Sequence, residues 1–456
     1  MPSKLIWKNV MLRRKIESYL EEWKRNSNHK PLVIKGVRQC GKTYSVQQFV
    51  KTHYNHFVYV DFVENPDFKE AFYGAKTVDT IIMNLSAIIE NAKFIPNETC
   101  LIFDELQDCP EARTSLKYFK MDGRYDVICT GSLLGVNGYG SKNKKKEKDK
   151  GASVPVGYET IVEMFPLDFE EFLWANGISE EIIALLKKHL ETETPVTAAI
   201  HKRMSDLLRQ YAVVGGMPEA VNTFISTHDI SQVVDVQRGI IDEYKDDMVK
   251  YADDSFKNRI RECFESIPKQ LSKENKKFQY SVIKKGGRAA QYYESLQWIE
   301  DAGIAKRCYN LSVTELPLDG NAKEDVFKVY MQDTGLFLSM LEYGTQADVL
   351  KGNLLGYKGA IYENLMADIL SKMGRKLYYF HKDSGLEVDF VIRYKGKCTL
   401  LEVKASSGNV KSTKTILKHP EVYHVTDAIK LGDYNIGRDG QLLTLPFYMG
   451  FLLTEV

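Results

Sequence analysis

The 456 residues carry 62 Lys+Arg against 61 Asp+Glu, a net charge of +1, with 44% apolar and 27% charged residues. That balance excludes a globally basic nucleic-acid binder and a disordered or fibrous chain, so any basic surface must be local. Seven cysteines without a Cys-x-x-Cys pair exclude a disulfide framework or zinc ribbon and favour a reducing, cytoplasmic setting. No apolar run reaches the ~18 residues a bilayer demands. Lys4, Lys8, Arg13, Arg14 and Lys15 interrupt any signal-peptide core, so no membrane is expected as a partner.

In chain order, an amphipathic pattern predicts a helix over about residues 10–25, broken by residues 26–31. Leu32-Val33-Ile34 predicts a short buried strand ending in a glycine-rich turn. Further strands are expected at 57–62, 100–103, 126–130 and 160–165. Short apolar strands separated by helical stretches predict an α/β fold with a parallel sheet covered on both faces. Residues 138–153, with six lysines, predict an exposed loop. Residues 166–250 read as mostly helical. Residues 255–330 read as two or three short helices and then short strands. Beyond 377, strands are expected at 377–380, 386–394, 398–403 and 422–425.

Gly36-Val37-Arg38-Gln39-Cys40-Gly41-Lys42-Thr43 matches G-x-x-x-x-G-K-[ST] between a strand and an amphipathic helix, the context of a P-loop. Gly36 and Gly41 let the backbone wrap closely, so that N–H groups and a helix N-terminus face phosphates. Lys42 is expected to reach the β- and γ-phosphates of ATP, and Thr43 to bind Mg²⁺. Leu101-Ile102-Phe103-Asp104-Glu105 ends an apolar strand in two carboxylates. Asp104 is expected to hold Mg²⁺, usually through water, and Glu105 to orient and polarise the attacking water. Thr130-Gly131-Ser132 ends the fourth strand. Ser132 there either meets the nucleotide or caps a turn. No arginine finger is identifiable; Arg113 and Arg124 lie in the right region.

With Thr130-Gly131-Ser132-Leu133-Leu134-Gly135, the segment Phe165-Pro166-Leu167-Asp168-Phe169-Glu170-Glu171-Phe172, and Gly215-Gly216-Met217-Pro218-Glu219, these motifs give the chain its resemblance. It resembles the prokaryotic AAA-type (archaeal-ATPase-like) P-loop ATPases that carry a C-terminal domain of unknown function. The resemblance implies a five-stranded core whose carboxylate-bearing strand lies beside an additional central strand. It also implies a helical lid in which Gly216-Met217-Pro218 lies near the adenine. Taken alone, those residues read as a helix-ending turn.

Residues 256–290 hold ten basic and three acidic residues, a local charge of +7. Helices at 258–270, 281–285 and 288–302, with strands at 304–311 and 326–330, outline a winged-helix module. Arg288, Gln291, Tyr292 and Glu294 would open its recognition helix, beside lysines able to neutralise phosphates. The same outline serves protein contacts or a rigid part of an ATPase.

Toward the C-terminus, Glu363 falls on a predicted helix, Asp389 inside a strand, and Glu402 and Lys404 on one face of the next strand. This order resembles PD-(D/E)xK nucleases. The resemblance implies Asp389, Glu402 and Glu363 as ligands of a second Mg²⁺ or Mn²⁺, with Lys404 as the catalytic lysine. The competing reading is a solvated strand face with a cross-strand ion pair.

The expected layout is an ATPase core over 1–165, a helical lid over 166–254, a winged-helix module over 255–330 and a restriction-endonuclease-like domain over 331–456. The expected function is Mg²⁺-dependent ATP hydrolysis coupled to a C-terminal region acting on DNA or RNA. The alternative is a non-cleaving switch that binds DNA or a protein partner. Oligomerisation is compatible with either.

Overall fold

Five apolar runs of the N-terminal third pair into one all-parallel sheet. They are β1 (Leu32–Gly36), β2 (His56–Asp61), β3 (Thr99–Asp104), β4 (Asp126–Ser132) and β5 (Thr160–Glu163), in the order β2-β3-β4-β1-β5. The computed structural model describes residues 11–132, 157–250, 254–273, 276–352, 357–404 and 410–454. The lysine-rich segment at 138–153 and Leu133-Leu134-Gly135 lie outside them. The described chain divides into two compact units, one of Arg13–Pro166 with Asp301–Gly303, the other chiefly of Leu167–Glu300 and Ile304–Val456.

In the first unit β3 is buried at every position, because helices cover both faces of a central parallel strand. Among these helices are α1 (Lys15–Arg25), α2 (Lys42–His53), α3 (Val78–Ile88) and α4 (Pro110–Asp122). Phe103 has no exposed surface. Its ring meets Phe62, Phe72 and Phe119 at centroid separations of 6.1, 5.3 and 5.9 Å. Replacing it with alanine would cost about 3–5 kcal/mol. This aromatic cluster sits directly behind Asp104, so packing energy fixes where the strand's last carboxylate emerges.

The second unit opens with five helices, Phe169–Ala175, Glu180–Glu191, Ala198–Val214, Pro218–Thr227 and Ile230–Lys250. Helices Asp254–Leu271, Tyr280–Ile283 and Ala289–Asp301 follow, then the antiparallel pair β6 (Ala305–Leu311) and β7 (Ala322–Met331). The backbone N–H of Phe278 donates to Phe327 of β7 at 2.8 Å. β6 also pairs in parallel with β8 (Leu377–His381), which pairs with β9 (Glu387–Val388), giving a sheet β7-β6-β8-β9. Strands β6 and β7 thus share a sheet with β8 and β9 of the C-terminal region.

A second sheet comprises β10 (Phe390–Tyr394), β11 (Lys397–Lys404), β12 (Asp427–Gly432), β13 (Gly437–Asp439) and β14 (Leu442–Pro446), in the order β10-β11-β12-β14-β13. Two expectations fail here. The strand expected over 386–394 breaks at Asp389, which joins β9 of one sheet to β10 of the other. The strand expected at 422–425 is instead the end of a short helix, Pro420–Tyr423. Pro420 favours that helix start, and His424, at φ 54, ends it in a left-handed conformation.

Candidate functional site

The glycine-rich loop links the C-terminal end of β1 to the N-terminus of α2. Gly41 caps α2 at φ 94, and Gln39 also has positive φ, so successive N–H groups curve into a concave nest. At Gly36 a Cβ would lie 2.2 Å from the carbonyl oxygen of Met164, which forbids any side chain. Lys42 donates to the carbonyls of Gly36 and Val37 at 3.1 and 3.0 Å, holding its ammonium over the loop.

Beside the loop stands the carboxylate of β3. Asp104 is 5% exposed, and four donors converge on it. Oδ2 accepts from Thr43 Oγ1 at 2.9 Å and from the Tyr59 hydroxyl at 2.6 Å. Oδ1 accepts from Thr130 Oγ1 and, at 3.0 Å, from the Glu105 N–H. β4 lies between β1 and β3, so its end is level with both, and Ser132 pairs in register with Gly36. Glu105 follows in a left-handed conformation, φ 52. Burial pushes its carboxyl above the ordinary carboxylate range, opposed by a hydrogen bond from Gln107.

The expected residues of this unit therefore meet: Gly36, Gly41, Lys42, Thr43, Asp104, Glu105 and Ser132 line one edge of the sheet. Thr43 and Asp104 offer the hard oxygen donors Mg²⁺ takes alongside nucleotide phosphates, so the donor set fits that ion. Both arginines weighed as fingers are engaged within the unit. Arg113 pairs with Glu159 at 2.8 Å, and Arg124 pairs with Asp79 and Asp122 at 2.6 and 2.7 Å.

Two contributors have no motif signal. Arg14, from the residue preceding α1, donates to the Cys40 carbonyl at 2.9 Å and the Phe165 carbonyl at 2.7 Å, tying the loop to the chain after β5. Tyr59 reaches Asp104 from the neighbouring strand. Strand order reveals the Tyr59 contact, and packing at the start of α1 reveals that of Arg14.

In the second unit, Pro218 is the first residue of helix Pro218–Thr227. The turn before it is held by partners of its own unit. Gly216 N–H donates to Asp333 Oδ2 at 2.7 Å, and the Gly216 carbonyl accepts from Leu167 N–H at 2.7 Å. Behind the turn, the buried Lys372 contacts Asp368 at 2.8 Å, Asp333 at 3.5 Å and the Tyr211 hydroxyl at 2.9 Å.

The C-terminal residues also gather, with lysines among them. Lys404 Nζ lies 2.7 Å from Glu402 and 3.5 Å from Asp389. Asp389 accepts from the Val403 N–H at 2.8 Å, and Glu402 accepts from Thr413. Burial, then the nearby Glu402, push the Asp389 carboxyl up, against Lys404 and Lys328. Glu363, on helix Lys358–Lys372, is engaged by Lys276, by the Tyr330 hydroxyl at 3.1 Å and by Lys328 at 3.8 Å. Lys328 also reaches Glu387 at 2.9 Å; burial opposes its charge, but Glu363 and Glu387 hold its pKa above the ordinary lysine range. Among the described residues, no group of three or more His, Cys, Asp or Glu is arranged to hold a metal ion. As these carboxylates stand, with lysines against them, they do not fit a second divalent ion.

Strand order, loop and carboxylate together define a P-loop nucleotide-binding unit. Residues 28–173 match the family model described as AAA domain. Residues 205–347 and 358–448 match two models, each described as a domain of unknown function (DUF8612 and DUF4143). An uncharacterized protein of Methanocaldococcus jannaschii is 26% identical over 216 residues, 47% of this chain. The match spans only 40% of that relative's length. Among solved structures, a Walker-type ATPase of Pyrococcus abyssi shares 15% identity over 72% of this chain and 96% of its own, at a TM-score of 0.42. A STAND-type signal transduction ATPase with a tetratricopeptide repeat sensor, from Pyrococcus horikoshii, shares 12% identity over 81% of this chain and 47% of its own, at a TM-score of 0.25. No helix among the described residues is long and apolar enough to cross a membrane.

Proposed function

We propose that this chain hydrolyses ATP at the loop of residues 36–43, with Mg²⁺. The observation that carries this reading is the 2.9 Å hydrogen bond from Thr43 to Asp104 at the foot of the loop, in a sheet where β4 separates β1 from β3. Lys42 and the loop N–H groups bind the β- and γ-phosphates. Thr43 and Asp104 hold Mg²⁺, which when bound supplies positive charge against the phosphate oxygens. Glu105 takes the proton of the attacking water, and Ser132 lines the same edge. Lys42→Ala is expected to abolish tight ATP binding. An unchanged ATP dissociation constant in that variant would remove the assignment.

For the rest of the chain, the succession of three helices and an antiparallel pair supports a winged-helix reading of 255–330. The local charge of +7 over 256–290 supports nucleic acid as its partner. The nuclease-like reading of 331–456 rests on the meeting of Asp389, Glu402 and Lys404. The lysines paired with Glu363, Asp389 and Glu402 favour the alternative, a non-cleaving ATP-dependent switch that binds DNA or a protein. Labelled DNA and RNA incubated with Mg²⁺ or Mn²⁺, with and without ATP, separate the two. Intact substrate supports the switch; cleavage that Asp389→Ala abolishes supports the nuclease.

A further inference from the structure

Four donors converge on the Asp104 carboxylate, two on each oxygen. Three come from the motifs that define the loop and the ends of β3 and β4: Thr43, Thr130 and the Glu105 N–H. The fourth, the Tyr59 hydroxyl, belongs to none of them. Tyr59 sits on β2 in register with Ile102, two residues before Asp61, which is itself level with Asp104. From there its phenol reaches along the strand ends to Asp104 Oδ2 at 2.6 Å.

The same hydroxyl lies 3.2 Å from Asp61 Oδ2. A phenol has one proton, and the shorter contact is to Asp104. Asp61 is meanwhile committed through Oδ1 to the N–H groups of Val63 and Glu64, each at 2.8 Å, so the turn after β2 holds it in place. The terminal torsion of an aspartate is broad and roughly two-fold, so the plane of its carboxylate is set by its hydrogen bonds. Thr43 bonds the same oxygen that Tyr59 does. Without the phenol, that oxygen keeps Thr43 as its donor and loses the one bond that holds it from the β2 side.

We propose that Tyr59 is a positioning residue for the metal–nucleotide site: it fixes the Asp104 carboxylate in the orientation that Thr43 shares. This rests on the ATP reading above. Groups that orient a ligand carboxylate typically alter metal affinity about 10–100-fold when removed. Tyr59→Phe keeps the ring and deletes only the donor.

The test is equilibrium binding, with no turnover involved. ADP affinity is measured by calorimetry in EDTA, and Mn²⁺ affinity of the ADP-bound protein by the electron paramagnetic resonance signal of free Mn²⁺. Tyr59→Phe is expected to bind ADP in EDTA as the wild type does and Mn²⁺ at least about tenfold more weakly. Mn²⁺ affinity within twofold of wild type would overturn the Tyr59 assignment alone. Loss of ADP binding in EDTA would also overturn it, because the phenol would then be holding the fold. A wild-type protein that binds neither ADP nor Mn²⁺ would sink the ATP reading and this proposal together.

Discussion

At the scale of single residues, the roles proposed for Asp104 and Glu105 rest on their surroundings. The Asp104 carboxylate accepts from four donors, which fix its orientation beside Thr43. Glu105 has burial raising its pKa and a hydrogen bond from Gln107, the surroundings of a base that can take a proton. Glu105→Gln is therefore expected to retain ATP binding and to lose about 10²–10⁴-fold in turnover. Steady-state phosphate release beside ATP binding checks this. Full turnover in that variant would move the base elsewhere. The motif residues were legible because each has a type and a spacing that phosphate chemistry demands. Tyr59, Arg14, Lys276 and Lys328 were not, because a tyrosine, arginine or lysine in isolation carries no spacing signal. Their partners lie 26 to 151 residues away and are met only through strand order or packing.

Elements show where periodicity suffices and where it fails. Apolar runs flanked by turns located all five strands of the first sheet, with ends shifted by a few residues. Their order, with β4 between β1 and β3, was available only through the family resemblance, since periodicity is silent on neighbours. Asp389 was misread as mid-strand because Glu387-Val388-Asp389 alternates like a strand through the break between two sheets. At the opposite end of β4 from Ser132, Asp126 accepts from the Tyr54 hydroxyl at 2.6 Å and meets His29 Nε2 at 2.8 Å. The hydrogen bond to Asp126 is the main cause raising the His29 pKa above its ordinary 6.5, against burial. The pair's contribution to stability is therefore full below about pH 6.5 and is lost as pH rises through the higher folded value. His29→Leu is expected to cost about 1 kcal/mol at acidic pH, a figure trimmed by partial exposure. The gap to wild type should narrow as pH rises into the alkaline range in urea titrations; a gap independent of pH would contradict the pairing.

Across the whole molecule, the two units place different demands on charge. The first sets Asp104 and Glu105 beside its phosphate-binding loop. The second buries them against lysines, as Lys372 does with Asp368 and Asp333 and Lys328 does with Glu363 and Glu387. Burial pushes Asp368 to about 6 even with Lys372 beside it. Lys372→Met is expected to destabilise the second unit by about 3–5 kcal/mol, because it leaves buried carboxylates without their cation. A shift in the urea midpoint checks this, and an unshifted midpoint would mean the network is dispensable. The proposed chemistry of the chain resides in the first unit. Its most direct test is the release of phosphate from ATP by the purified chain in Mg²⁺, beside Lys42→Ala and Glu105→Gln. Turnover by the wild type that both variants lose is the predicted result. Turnover undiminished in Lys42→Ala, or none by a wild type shown to be folded, would contradict the reading of residues 36–43 as the site of ATP hydrolysis.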